Sequence, residues 1–265
     1  MSSGLGGLRL AGTQTLQLAR RSLNNERRQL ISIMPGLVFP LMMAAVYSQQ
    51  FGRALALPGF PEVDSFLSFI LPGSIIQAVS FGGTTAGTEL ALDIENGFFD
   101  RLLASPVARV PILLGRLGGT AVVAAGKASF IVAVFMIFGV AIKGGVAGTL
   151  IIIATAALLV LAIGGMPQIM AIRTQSQEAV SATFPLIFVT IFMSSAFFPT
   201  SLMSGWYRQV AENNPITWTI DPVRRLVIEG WSASDALQAL GVPAALAVVT
   251  ILGAVRTLNT KLKAS

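Results

Sequence analysis

Gly126-Lys127 reads like the end of a phosphate-binding loop, in which glycines bring backbone N–H groups to phosphate and the lysine reaches its outer oxygens. The rest of that pattern is missing. Ala121 stands where the earlier glycine belongs, Ala128 stands where Ser or Thr would hold magnesium, and the surroundings are continuously apolar. No other stretch offers a nucleotide pattern. The chain has no histidine and no cysteine, which removes thiolate chemistry, disulfides, most hydrolytic triads and the usual zinc sites. Its carboxylates all lie outside the long apolar blocks, so none is placed to relay protons or bind sodium within a membrane. Neither hydrolytic nor ion-coupling chemistry finds its residues here. Lys127, within an apolar block, costs at least about 2.5 kcal/mol at mid-membrane. It either contributes a polar contact to a path or subunit interface, or snorkels along its own stem.

The elements that must position these residues are helices across a lipid bilayer. Of 265 residues, 54% are hydrophobic and 11% charged, against roughly a quarter charged in a soluble domain. Residues 29–52, 65–88, 144–172, 179–207 and 236–255 carry no charge, and 111–142 carries only Arg116 and Lys127. About 20 residues at 1.5 Å each cross the hydrocarbon layer, and lipid offers the backbone no partner outside a helix. The expected fold is therefore an all-α polytopic membrane protein with six transmembrane helices. The spans fall at about 29–50, 65–89, 111–141, 146–172, 179–199 and 236–256, forming one domain over 29–265. A secretory-signal reading of the first block, with Ala54-Leu55-Ala56 as cleavage site, fits less well because the run is too long.

With the N-terminus inside, twelve of the 18 cations fall on the cytoplasmic side, so both ends are expected there, in a bacterial plasma membrane. The net charge of +6 then reflects orientation rather than a nucleic-acid partner. Residues 1–28 alternate leucines with glutamines and arginines, as an amphipathic helix lying on the inner headgroups would. Trp206, Trp218 and Trp231 all lie between the fifth and sixth spans, and Tyr47 and Tyr207 at outer ends of helices. Such an aromatic belt places residues 198–230 at the outer interface as short re-entrant helices.

The stretch from Glu89 to Pro111 is the longest inter-helix cytoplasmic segment. Leu90, Ile94, Phe98, Leu102 and Leu103 follow near-helical spacing, interrupted by Asn96-Gly97 and closed by Ser105-Pro106. Phe98 and Phe99 read as exposed, and Asp93, Glu95, Asp100 and Arg101 as free charges that a soluble partner could meet. Gly83 and Gly87, one turn apart, predict close packing of the second span against another helix.

Together these segments resemble the ABC type-2 permease family, especially its daunorubicin-resistance-like exporter subunits. The resemblance rests on Glu95, Gly97, Leu102, Leu103, Ser105, Pro106 and Arg109 in the cytoplasmic segment. It rests equally on Phe198-Pro199, Trp206, Asn214-Pro215, Asp221, Arg224 and Gly230 in the outer one; Gly205 departs from it where a proline is common. It implies a permease subunit that pairs with a second copy or paralogue and with two copies of a separate ATPase. ATP and magnesium would be bound by that ATPase, with no cofactor and no catalytic or metal residue in this chain. Drugs, lipids or related lipophilic molecules would be the cargo. The coupling contact would involve Asp93, Glu95, Gly97, Phe98, Phe99, Asp100, Arg101 and Pro106, as a cytoplasmic coupling helix. Trp206, Asn214, Pro215, Asp221 and Arg224 would belong to the outer re-entrant segment. A path lined by the second and fifth spans would be contacted by Gln77, Phe81, Lys127, Phe188 and Phe192. The competing readings are an ion-coupled carrier working alone and a polytopic protein with no transport role.

Overall fold

The computed structural model describes residues 30–99 and 109–264. The N-terminal segment 1–28 and Asp100, Arg101 and Pro106 of the segment between the second and third expected spans lie outside the described residues. All regular structure among the described residues is helical.

Helix α1 covers Leu30–Gln50 and is followed by a 3₁₀ turn at Gly52–Ala56. Helix α2, Phe66–Glu95, starts where the Ser65 side chain accepts from the Ser68 amide, the usual way of satisfying an orphan N–H. It stops at Asn96-Gly97, where Gly97 takes φ +67°, a left-handed conformation that glycine adopts most readily. Helix α3 covers Arg109–Ile137 and α4 covers Gly145–Thr174. Two short helices then follow in near-continuity, α5 at Gln177–Ser181 and α6 at Thr183–Phe192. Helices α7 at Gly205–Glu212 and α8 at Pro215–Ile228 precede the long α9 at Ala233–Ala264.

Four of these are long and apolar enough to cross a membrane: Phe66–Glu95, Leu117–Ile137, Gly145–Thr174 and Ala233–Lys261. The most apolar stretch of α2 is 89% buried and that of α9 only 22%, so α2 is the axis of the bundle and α9 its rim. Glycines set the closest approach. A Cβ on Gly87 would stand 2.4 Å from Pro167 Cβ, and one on Gly83 would stand 2.8 Å from Ile163 and 3.1 Å from the Gly164 amide. The expected close packing is that of α2 on α4.

One part of the expected layout changes. The helix over 177–192 ends at Phe192 and does not run on to 199; residues 193–199 form turns instead. Its short length leaves the carbonyls of its last turn without helical donors. How they are satisfied is the centre of the candidate site.

Candidate functional site

The end of α6 is closed by side chains from the segment that follows it. Asn214 donates through Nδ2 to the carbonyls of Thr190 at 2.7 Å and Met193 at 2.8 Å. Its Oδ1 meanwhile accepts from the Ile216 amide at 2.9 Å, capping α8, whose first residue is Pro215. The Tyr207 hydroxyl donates to the carbonyl of Phe192. One buried asparagine thus finishes one helix and begins another.

Arg224 holds the adjoining turn. It is 6% exposed and donates through Nε to the carbonyl of Phe69 in α2 at 3.1 Å, and through Nη2 to the carbonyl of Ser195 at 2.6 Å. Its Nη1 meets Asp221 Oδ1 at 2.9 Å, and its guanidinium carbon lies 3.9 Å from the centre of the Phe69 ring. Asp221 also accepts from the Ser195 hydroxyl at 2.6 Å, while the Ser195 amide donates to Thr217 Oγ1. A planar, five-donor cation suits this task, because three backbone and carboxylate acceptors lie around one plane. Gly73 makes room for the arrangement, since a Cβ there would stand 2.4 Å from the Ala196 carbonyl oxygen. The far end of α8 is tied as well, its Leu226 and Val227 carbonyls accepting from the amides of Gly144 and Lys143 at 2.9 Å. Residues 198–230 are therefore packed short helices rather than a loop. Trp206 and Trp218 stay exposed along them at 65% and 44%, and Trp231, just past α8, at 53%.

From this closure a run of aromatic rings descends along α6. Phe197 touches Phe192 at a centroid distance of 4.8 Å, Phe192 touches Phe188 at 4.7 Å, Phe188 touches Phe184 at 5.7 Å, and Phe184 touches Phe81 of α2 at 5.0 Å. Phe39 of α1 bridges Phe188 and Phe81 at 6.1 and 6.5 Å, and Tyr47 joins Phe197 at 5.6 Å. Spacings of this size are the attractive ones for aromatic pairs. Phe81, Phe188 and Phe192, named from the sequence, come together here; Phe39, Phe184 and Phe197 complete the run. Lys127 is buried beside it, its Nζ 3.3 Å from where a Gly36 Cβ would be, next to Ala78 and Phe81. Gln77 lies apart, only 1% exposed and inside the bundle, with both amide atoms lacking a hydrogen-bond partner. Its side chain faces the interior of the protomer, not an open surface.

At the opposite end the segment after α2, expected to be cytoplasmic, differs from the sequence expectation in two ways. Phe99 is 4% exposed and packs into a small core with Leu90, Ile94, Ile172, Val180 and Leu258, so it anchors the segment instead of offering an apolar contact. Glu95 is not a free charge. Its Oε1 accepts from the Gln177 amide at 2.9 Å, joining the end of α2 to the start of α5. Asp93 also has an interaction partner, and Phe98 is half-buried. No spacing rule links Glu95 to Gln177, which is why sequence reasoning missed this tie. The Asn214-Pro215 pair, by contrast, carried a helix-start signal. What it could not carry was the second role of Asn214, which depends on where α6 stops.

Comparison with known proteins bears on most of the chain. A daunorubicin resistance ABC transporter permease protein of Streptomyces coeruleorubidus is 28% identical over 205 residues, covering 75% of this chain and 68% of its own. A putative transport permease of Cyanophora paradoxa is 26% identical over 226 residues, covering 83% and 76%. A probable doxorubicin resistance ABC transporter permease protein of Mycobacterium tuberculosis is 24% identical over 241 residues, covering 91% and 86%. The sequence model of ABC-2 type transporters matches residues 13–228, a stretch that includes the aromatic run, the α6 closure and the Arg224 network, and the chain belongs to the ABC-2 type transporter family.

Proposed function

We propose that this chain is the transmembrane permease subunit of an ATP-driven exporter, moving lipophilic or amphipathic molecules with work supplied by a separate ATPase. The observation that carries the reading is the family match over 13–228 on a chain whose sequence has no phosphate-binding pattern. In this reading α1, α2, α3, α4, the α5–α6 pair and α9 are the six spans, and α7–α8 form a re-entrant cap on the outer side. Both termini face the cytoplasm of a bacterial cell. A second copy or paralogue stands against this one, and cargo passes along the face that carries Phe39, Phe81, Phe188 and Phe192. Its half-buried rings suit apolar, polarisable surfaces. Gln77 and Lys127 lie behind that face and act on it through packing. The segment 92–109 receives the ATPase, which binds ATP and magnesium.

The test is reconstitution in vesicles with and without the partner ATPase. The purified chain alone should show no ATP hydrolysis above a mock preparation. With the ATPase, a lipophilic dye should be moved in an ATP-dependent manner, and substitution of Phe188 and Phe192 by alanine should change that transport. Hydrolysis by a rigorously pure single chain, or ATP-independent movement driven by a sodium or proton gradient, would overturn the proposal.

A further inference from the structure

A concave basic site lies at the other edge of the bundle, between the last turns of α4 and α9. Arg173, Arg256 and Lys261 line a cavity of ≈ 640 Å³, and no acidic side chain lines it. Neither arginine has an acidic partner among the described residues. Lys261 has a structural task, donating from Nζ to the carbonyl of Ile172 at 2.7 Å. That bond blunts the negative end of the α4 dipole, which would otherwise repel an anion. The two arginines are left facing the cavity with their forks available to an oxyanion.

The wall of the cavity on the membrane side is apolar, formed by Ile169 and Ile172. Along α9 the ridge continues from Arg256 through Leu252 and Val249, which are 62% and 67% exposed. These positions repeat at three and four residues and so share one helix face. Cations at a helix end above a continuous apolar stripe match a molecule with a charged head and a long chain. We infer that the α4–α9 groove binds an anionic phospholipid from the leaflet on the side of the chain's C-terminal end, its phosphate held by Arg173 and Arg256 and its acyl chain lying along Leu252 and Val249. Such a lipid would lie along the outer edge of the α4–α9 contact, covering the exposed ridge of α9.

The experiment is native mass spectrometry of the purified full-length chain carried in detergent with phosphatidylglycerol or phosphatidylcholine, with retained lipid counted. Phosphatidylglycerol should be retained in preference to phosphatidylcholine. The Arg173→Gln/Arg256→Gln variant should lose retention by about twenty-fivefold, since each cation near an anionic surface contributes about fivefold. Arg173→Lys/Arg256→Lys, which keeps the charge but not the fork, should lose less. The control Arg53→Gln/Arg208→Gln removes two exposed cations that do not line the groove and should retain lipid as the parent does. Equal losses in the control, or no loss in the arginine variant, would overturn the inference. So would displacement of the lipid by millimolar inorganic phosphate, which would mean that the site takes free phosphate. If the arginine variant kept its lipid but lost ATPase co-purification, the groove would be a protein contact and the lipid assignment would be wrong. Monodisperse elution of each variant checks that it is folded, and no arm of the experiment depends on transport.

Discussion

Replacing Arg224 by leucine should destabilise the protein by an amount that the surrounding acceptors set. The guanidinium is 6% exposed, and its loss strands the Ser195 carbonyl and half of the Asp221 pairing. The Phe69 carbonyl sits inside α2 and keeps its intrahelical donor, so it adds little. Breaking a buried ion pair from one side costs about 3–5 kcal/mol. Asp221 keeps the Ser195 hydroxyl and its side chain is 34% exposed, so water recovers part of its charge and the cost should fall at the low end, about 3 kcal/mol. Asp221→Asn alone should cost a similar amount, about 3 kcal/mol, because the amide oxygen still accepts but the buried guanidinium is left without a counter-charge. The double variant should then be less destabilised than the two singles added together, by roughly 1–2 kcal/mol, since the two groups touch.

The assay is equilibrium unfolding in mixed micelles followed by tryptophan fluorescence. It reports locally, because Trp206, Trp218 and Trp231 all lie on the segment that the network holds. Arg224→Lys is the informative companion. It keeps the charge but gives up the planar fork, and should recover less than half of the loss. If Arg224→Leu unfolded within about 1 kcal/mol of the parent, a typical surface-to-moderate effect, or if the double variant were strictly additive, the network would not be what fixes the turn after α6.

Three other changes follow from the same geometry. Asn214→Asp keeps the acceptor that caps α8 but loses the donors to Thr190 and Met193, so it should cost about 1–3 kcal/mol, whereas a pure capping role would leave stability unchanged in the same unfolding assay. Gly97→Val should cost about 1–2 kcal/mol or more from the left-handed backbone alone, while Gly97→Asn should be tolerated, as a Cβ there meets nothing within 4 Å; membrane abundance and unfolding of both variants check this. Gln77→Met should raise stability by about 1–3 kcal/mol, because it replaces a buried amide whose two polar atoms are unpartnered; a loss of stability would show that the amide is satisfied by water.

Much of the fold was legible because lipid imposes a single local rule. A charge-free run long enough to cross must be helical, and the runs around α2, α4 and α9 are where the sequence placed them. Gly83 and Gly87 announced a close contact, and only the partner, α4 with Gly164 and Pro167, had to come from the structure. What the sequence hid were consequences of where helices stop. The charge-free block 179–207 gives no local reason for a helix to end at Phe192, since Met193, Ser194 and Ser195 would each be accepted in an apolar helix. The end is imposed from afar by Tyr207, Asn214 and Arg224. Glu95 and Phe99 were misread for a similar reason. Both lie in a segment whose composition suits solvent, and both are claimed by neighbours more than 70 residues away, at Gln177 and Ile172.

These long-range claims also connect the candidate sites. The aromatic run begins at the closed end of α6, where Phe192 supplies both a ring to the run and a carbonyl to Tyr207. At its other end, α6 follows α5 almost without interruption, and α5 starts at the amide held by Glu95. Movement of the α2 terminus would therefore pull on α5–α6 through the Glu95 carboxylate and through Val180, which packs with Leu90 and Ile94, and α6 carries the rings. A displaced Gln177 must either lose its bond to Glu95 or carry α5 with it. The stiff part of the chain is the α2–α4 contact, where glycines leave no space to adjust, and the α5–α6 pair is attached to that core mainly at its two ends. Between those ends the pair is packed by half-buried rings, so a shift of α6 would act first on the aromatic run.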